Sequence, residues 1–151
     1  MSAADPYWAL PDPELKPEFY SDVPTKRLIA WLVDTVLIVL LCVIIIPFTA
    51  FTALFFLPFL YLVVGFFYRM ISLANRSATP GMRLMAVEFR MANGARLDPA
   101  FAMLHTLGYT VSMAMVLPQI VSVALMILSP RGQGLTDLVL GTVAMNRAAR
   151  A

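Results

Sequence analysis

The sequence has almost none of the residues from which catalytic and metal sites are usually built. It contains one cysteine and one histidine, Cys42 and His105, which lie far apart in the chain. A single cysteine forms no disulfide framework, and two such distant ligands do not make a zinc or copper site. The serines at 112–129 have no local His and Asp partner, and Gly132 and Gly134 are too close together for a phosphate loop. We therefore predict no enzymatic activity, no metal and no cofactor.

Charge is also scarce. Charged residues make up 13% of the chain, hydrophobic residues make up 60%, and the net charge is +2. Soluble domains are about a quarter charged and about half apolar. This composition, with a mean hydropathy of +0.80, predicts an integral membrane protein whose main partner is the lipid bilayer. It gives no support for nucleic-acid binding.

The first 24 residues lack the basic and then apolar pattern of a cleaved signal peptide. They hold five acids, one lysine and five prolines. We predict an extended cytoplasmic arm over residues 1–24 and an uncleaved first membrane helix after it. The aromatic pairs Tyr7–Trp8 and Phe19–Tyr20 suit the membrane interface or the surface of a partner. A disordered tail is the alternative.

Between residues 28 and 68 the one charged side chain is Asp34. A membrane span takes about 20 apolar residues, so this stretch predicts a helical hairpin rather than one helix. We place its helices at 26–46 and 49–68, with the break at Pro47 and a kink at Pro58. Arginine and lysine flank the hairpin and are missing from its turn, which places the N-terminus and residues 69–98 in the cytoplasm.

Residues 85–91 alternate between apolar and other side chains, which predicts a half-buried strand. The following Asn93–Gly94 is a strong hairpin signal. A helix is the alternative, because arginines recur every seven residues at positions 69, 76, 83 and 90. Pro80–Gly81 interrupts that repeat, so we prefer the strand and expect these arginines to face solvent or lipid headgroups.

The next apolar segment, residues 99–128, contains His105 and no Asp, Glu, Lys or Arg. Either it crosses the membrane once, or a surface helix precedes a re-entrant pair of half-helices that turns near Pro118–Gln119. After a Pro/Gly turn, Asp137 lies in another apolar stretch, and residues 142–146 can form a short strand. The fold class predicted is an all-α membrane protein with a hairpin, a broken or re-entrant third segment and short cytoplasmic strands.

Three motifs occur in order: KRLIAWLVD at 26–34, TPGMRLMAVEFRMANGARL at 79–97 and GLTDLVLGTVAM at 134–145. Together they resemble the RDD family of small bacterial membrane proteins. The resemblance implies a multi-pass domain at 25–147 in the bacterial inner (cytoplasmic) membrane, followed by a tail at 148–151.

The residues for which the family is named match Arg27, Asp34 and Asp137. His105 stands near a position where many relatives carry arginine. At Pro80 the chain has proline where leucine is commoner. The resemblance implies transport of unidentified ligands, with some members similar to cation/proton antiporters and others suggested as accessory parts of larger membrane assemblies.

Arg27 and Asp34 are seven residues apart, so they share a helix face with about 10 Å between their backbones. A carboxylate in hydrocarbon costs about 2.5–3.5 kcal/mol, so Asp34 needs a proton, hydrogen-bond donors or a cation. We favour an Arg27 bridge between Asp34 and Asp137, because the planar guanidinium can serve two carboxylates. That bridge requires residues 99–128 to enter and leave the membrane on one side. A strand at 142–146 can then pair with residues 86–91.

Two functions are consistent with these charges. In the first, Arg27, Asp34 and Asp137 form a cation or proton site, with His105 as a secondary residue, in a transporter that works as a homo-oligomer. In the second, the charges are structural, and the chain is an accessory or assembly subunit of a larger membrane complex.

Overall fold

The computed structural model describes residues 6–147. Within them the chain is mostly helical, with one small antiparallel sheet, as the sequence predicts. Its elements in chain order are α1 (Val23–Phe48), α2 (Leu57–Arg76), α3 (Pro80–Leu84), β1 (Val87–Met91), α4 (Pro99–Ala114), α5 (Val116–Leu128), α6 (Leu135–Leu140) and β2 (Thr142–Asn146).

The predicted hairpin is confirmed. The segments 17–48 and 52–76, which contain α1 and α2, are long and apolar enough to cross a membrane. Their bounds differ from the prediction: α1 continues through Pro47, and a 3-10 turn at Thr52–Phe56 precedes α2. The expected kink at Pro58 is wrong, since Pro58 lies in the first turn of α2. A proline there loses no hydrogen bond, because the first amides of a helix have no partner within it.

Helices α4 and α5 are bent against each other by 116°. Only the two helices taken together are long and apolar enough to form a third membrane span. The bend lies at Met115, three residues before the predicted turn at Pro118–Gln119. Pro118 instead falls in the first turn of α5, where proline is well tolerated. The chain therefore changes direction shortly before Pro118, whose missing amide and ring prevent α4 from continuing past this point.

The two strands pair antiparallel, from Val87 opposite Asn146 to Met91 opposite Thr142, which confirms the predicted pairing. The hairpin signal at Asn93–Gly94 was misleading: a turn ends β1 there, but the partner is the distant β2. The sheet is also buried on both faces rather than half-buried.

The arginines at 69 and 90 do not face solvent or headgroups as expected. Arg69 and Arg90 are each 9% exposed. Arg90 forms an ion pair with Glu88 on the same strand, at 2.5 Å. Arg69 lies within α2, which extends to Arg76 instead of ending at residue 68.

The described part of the arm, residues 6–22, forms turns and a 3-10 helix at Pro17–Phe19 rather than an extended segment. Leu10 and Tyr20 pack with Val143 and Met145 of β2, so the arm covers the chain's own sheet. Residues 1–5, Arg150 and the predicted tail at 148–151 lie outside the described residues.

The larger core cluster lies at the end of the molecule that carries the sheet, which we call the sheet end. It joins α1, α2, α3, β1, β2 and α4 through buried side chains that include Val23, Leu73, Met82, Phe89 and Ala102. This packing holds the first turns of α1 against the C-terminal elements and positions the charged residues described next.

Candidate functional site

An ion pair joins the first motif to the last. The Arg27 guanidinium lies 2.7 Å from Oδ2 of Asp137, which is 1% exposed. Arg27 projects from the second turn of α1, and Asp137 lies in the short helix α6. The structure thus brings together two residues that are 110 positions apart, as the sequence predicts.

His105 completes this cluster from α4. Its Nε2 lies 2.8 Å from Oδ1 of Asp137, so the carboxylate holds a cation on one oxygen and an imidazole on the other. The amide of Gly134 and the hydroxyl of Thr142 also donate to Asp137, each at 3.0 Å. Each carboxylate oxygen of Asp137 therefore accepts two hydrogen bonds. Together these bonds attach α6 and β2 to α1 and α4.

The electrostatics of this cluster favour an ionised Asp137. Burial by itself would raise the pKa of this carboxyl. The charge of Arg27 and the hydrogen bond from His105 outweigh burial and hold the pKa below its ordinary value. Asp137 is thus a permanent anion at any pH near neutrality.

Phe89 of β1 forms the floor of the cluster. Its ring centroid lies 4.4 Å from that of His105 and 5.2 Å from the guanidinium carbon of Arg27. The ring is almost fully buried and keeps water from one side of the cluster. Removal of one partner would leave an unpaired charge buried beside this apolar ring, which is strongly destabilising.

Asp34 belongs to a separate network. It accepts hydrogen bonds from the hydroxyls of Tyr68 and Thr79, at 2.7 Å and 2.5 Å, and from the amide of Gly81 at 2.8 Å. The motif Thr79–Pro80–Gly81 explains this geometry. Thr79 is the N-cap of α3. Because Gly81 has no side chain, α3 can approach α1 closely at this residue.

The predicted Arg27 bridge to Asp34 is therefore not formed. Arg27 pairs with Asp137 and also donates to the carbonyl of Gly132, whereas the donors to Asp34 are neutral groups. The backbones of Arg27 and Asp34 are about 10 Å apart on one face of α1. Neutral donors from α2 and from the start of α3 lie closer to Asp34 and occupy its oxygens. Each aspartate is thus satisfied by a different part of the fold.

Sequence reasoning missed Arg69. Its guanidinium carbon lies 3.7 Å from the ring centroid of Tyr109, whose hydroxyl accepts a hydrogen bond from Trp31 at 2.6 Å. Nε of Arg69 is buried and has no hydrogen-bond partner. A signal existed in hindsight: the apolar pattern of α2 continues past Tyr68, so an arginine at 69 lies inside a helix.

A cavity of about 480 Å³ adjoins both arginines. Its walls come from α1, α2, α4, α5 and α6, and they include Arg27, Arg69, His105 and Asp137. Asp34 does not line it. This volume falls in the range of small-molecule sites, which is about 300–1,000 Å³.

Residues 6–147 contain no group of three or more His, Cys, Asp or Glu side chains placed to hold a metal ion. His105 and Asp137 supply two potential ligands, but they are hydrogen-bonded to each other.

Comparison with known proteins gives one family. No curated protein and no solved structure matches the chain. The model of the RDD family matches residues 23–141, a stretch that contains Arg27, Asp34, His105 and Asp137. Since the match covers more than half of the sequence and the apolar helices suit a bilayer, the chain is a membrane protein that belongs to the RDD family.

Proposed function

We propose that the chain is a non-catalytic accessory or assembly subunit of a larger complex in the bacterial inner membrane, with its N-terminus in the cytoplasm. In this proposal Arg27, Asp34, His105 and Asp137 are structural. The observation that carries it is the saturation of both carboxylates. Each oxygen of Asp34 and Asp137 already accepts at least one hydrogen bond from a fixed donor of the fold.

Saturation argues against cation transport. A transported cation needs carboxylate or carbonyl oxygens that can replace its water ligands. A cation at Asp137 would have to displace Arg27 or His105, and the displaced arginine would stay close enough to repel it. At Asp34 the oxygens do not line the cavity. The geometry therefore favours two fixed attachments of α1 over an ion path.

The uncovered helix surfaces support a role within a complex. The rest of the chain covers little of α1 or α2, and large side chains such as Phe55, Phe59 and Phe67 are exposed. Such apolar faces can pack against helices of a larger membrane protein as well as against lipid. A small subunit that is fixed internally by polar networks suits this arrangement.

A second candidate is cation/proton exchange by a homo-oligomer. His105 and Asp137 favour it, because they share a hydrogen bond in the wall of the cavity. Histidine is the side chain that most readily changes charge near neutral pH. In this candidate His105 relays the proton, while Asp137 stays ionised and paired with Arg27.

Reconstitution distinguishes the two functions. The purified chain is placed in proteoliposomes with an internal pH dye, and Na⁺ or K⁺ gradients are imposed. The subunit proposal expects proton flux no faster than in protein-free liposomes. Flux that is faster with the wild-type chain, and that is lost in His105→Gln but kept in the exposed variant Glu14→Gln, would replace it with the exchange function.

Extraction from native membranes tests the subunit role directly. In a mild non-ionic detergent we expect the tagged chain to migrate with a larger membrane protein in a fixed molar ratio. Recovery of the chain with no other protein, as a homo-oligomer whose mass under native conditions is a multiple of the chain's own mass, would contradict the accessory role.

A further inference from the structure

The guanidinium of Arg69 has N–H donors for which the described residues supply no acceptor. Its guanidinium donates no hydrogen bond to any residue in the range 6–147, and its Nε is buried without a partner. A buried donor without a partner is expensive, and more so when the donor is charged. Arginines inside membrane segments usually face a partner or a cavity, and Arg69 faces the cavity.

The ring of Tyr109 does not satisfy this need. The guanidinium carbon of Arg69 lies only 3.7 Å from the centroid of the ring, a separation that fits a guanidinium stacked face to face rather than one that points its N–H groups at the ring. The five N–H donors of arginine lie in the plane of that group and point away from the stacked ring. Stacking on Tyr109 therefore orients Arg69 and leaves its in-plane donors for a separate acceptor.

The nearby carboxylates are already in use. Asp137 is paired with Arg27 and His105, and Asp34 is bonded to neutral donors. The cavity lining contains two arginines and one aspartate, and that aspartate is paired with Arg27. Asp34 lies outside the lining and interacts electrostatically with Arg69, but its oxygens accept hydrogen bonds from other groups. A bound oxyanion would supply the acceptor that the donors of Arg69 lack.

The rest of the lining is mainly apolar. The apolar lining residues include Leu28, Met113, Val123, Met126 and Ile127, and the last three of these come from α5. We propose that this cavity binds an anionic amphiphile, with its oxyanion headgroup on the in-plane donors of Arg69 and its hydrocarbon chain along this wall. Arginine is suited to this role because its planar fork matches carboxylate and phosphate oxygens. The site goes beyond the structural role proposed for Asp34 and Asp137.

The headgroup can come from a free fatty acid or from an anionic phospholipid, and the test separates these sources. The full chain is purified in dodecyl maltoside, and bound ligands are counted by native mass spectrometry. Dodecanoate is compared with dodecanol, and phosphatidylglycerol with diacylglycerol, which has the same two chains and no phosphate. We expect the anionic member of at least one pair to bind about 10- to 100-fold more tightly, which is the range for hydrogen bonds to a charged group.

Variants locate the binding. Arg69→Gln should abolish the preference for the anion, whereas Arg76→Gln, an exposed arginine in the last turn of the same helix, should keep it. Val123→Trp adds bulk to the apolar part of the lining and keeps Arg69 itself, and it should weaken binding of the anion at least 10-fold. This variant decides the matter if Arg69→Gln fails to fold.

A preference for dodecanoate alone assigns the site to free acids, and a preference for phosphatidylglycerol alone assigns it to phospholipid. The proposal is overturned if neither anion is preferred over its neutral counterpart. It is equally overturned if folded Arg69→Gln, or Val123→Trp, binds the anion as the wild type does.

Discussion

Replacing Asp137 with asparagine tests the attachment of the C-terminal segment to α1. The change keeps the shape of the side chain and removes its charge. Arg27 then stays mostly buried with no anion beside it, and the new amide can place a donor against the donors of Gly134 or Thr142. Of the acceptors that the described residues give Arg27, the carbonyl of Gly132 then remains.

The expected loss is large. Breaking a buried ion pair by removing one partner costs about 3–5 kcal/mol, because the remaining charge stays buried. Here the carboxylate is 1% exposed and the ion-pair distance is 2.7 Å, so little solvent screening reduces the effect. Since folded domains are stable by about 5–15 kcal/mol, the variant should lose a substantial part of its stability.

Equilibrium unfolding in mixed micelles of dodecyl maltoside and dodecyl sulfate gives the measurement. Trp31 reports on it, because its indole donates to Tyr109 across the α1–α4 contact. The exposed acid variant Glu14→Gln serves as the matched control and should change stability by less than about 0.5 kcal/mol.

A double variant isolates the pair. Arg27→Gln with Asp137→Asn removes both charges, so its loss should be smaller than the sum of the single losses by about 1–3 kcal/mol. The reasoning is refuted if Asp137→Asn costs less than about 1 kcal/mol, or if the two single effects add.

Two further predictions follow from the same contacts. Gly81→Ala should destabilise the fold by about 1–3 kcal/mol or more, because the added Cβ would lie 2.2 Å from the backbone oxygen of Ala30. Gly65→Ala is its control in the same unfolding assay and should be neutral or stabilising, since its Cβ would meet only the side chain of Ile38 at 3.7 Å. The free energy of unfolding should also fall as pH drops below about 3.9, the pKa of an unfolded aspartate, because Asp137 keeps a lower pKa when folded. Asp137→Asn should show a smaller fall over the same pH range, and an equal fall would contradict this assignment.

Much of the fold is visible in the sequence because it depends on local pattern. The long apolar run sets the two helices, and alternation around Phe89 sets β1. The contact between Arg27 and Asp137 follows from charge scarcity, since few groups are available to neutralise either one. Pairing of β1 with β2 was inferred from that contact.

The partners of Asp34 were not predictable in the same way. They depend on how closely α3 approaches α1, which is decided by the missing side chain of Gly81. Arg69 was misplaced because the end of α2 was drawn at the first charge. The bend at Met115 lies three residues before Pro118, so the proline signals a break in the helix but not the residue at which the chain turns.

The distance along the chain between Arg27 and Asp137 has a consequence for biosynthesis. The ribosome adds Arg27 110 residues before it adds the carboxylate that neutralises it. A copy that stops short of α6 can have both long helices inserted and still carry a bare guanidinium at its sheet end. Finished and unfinished copies therefore differ in charge balance more than in helical content, and maturation is complete only when the last short helix docks.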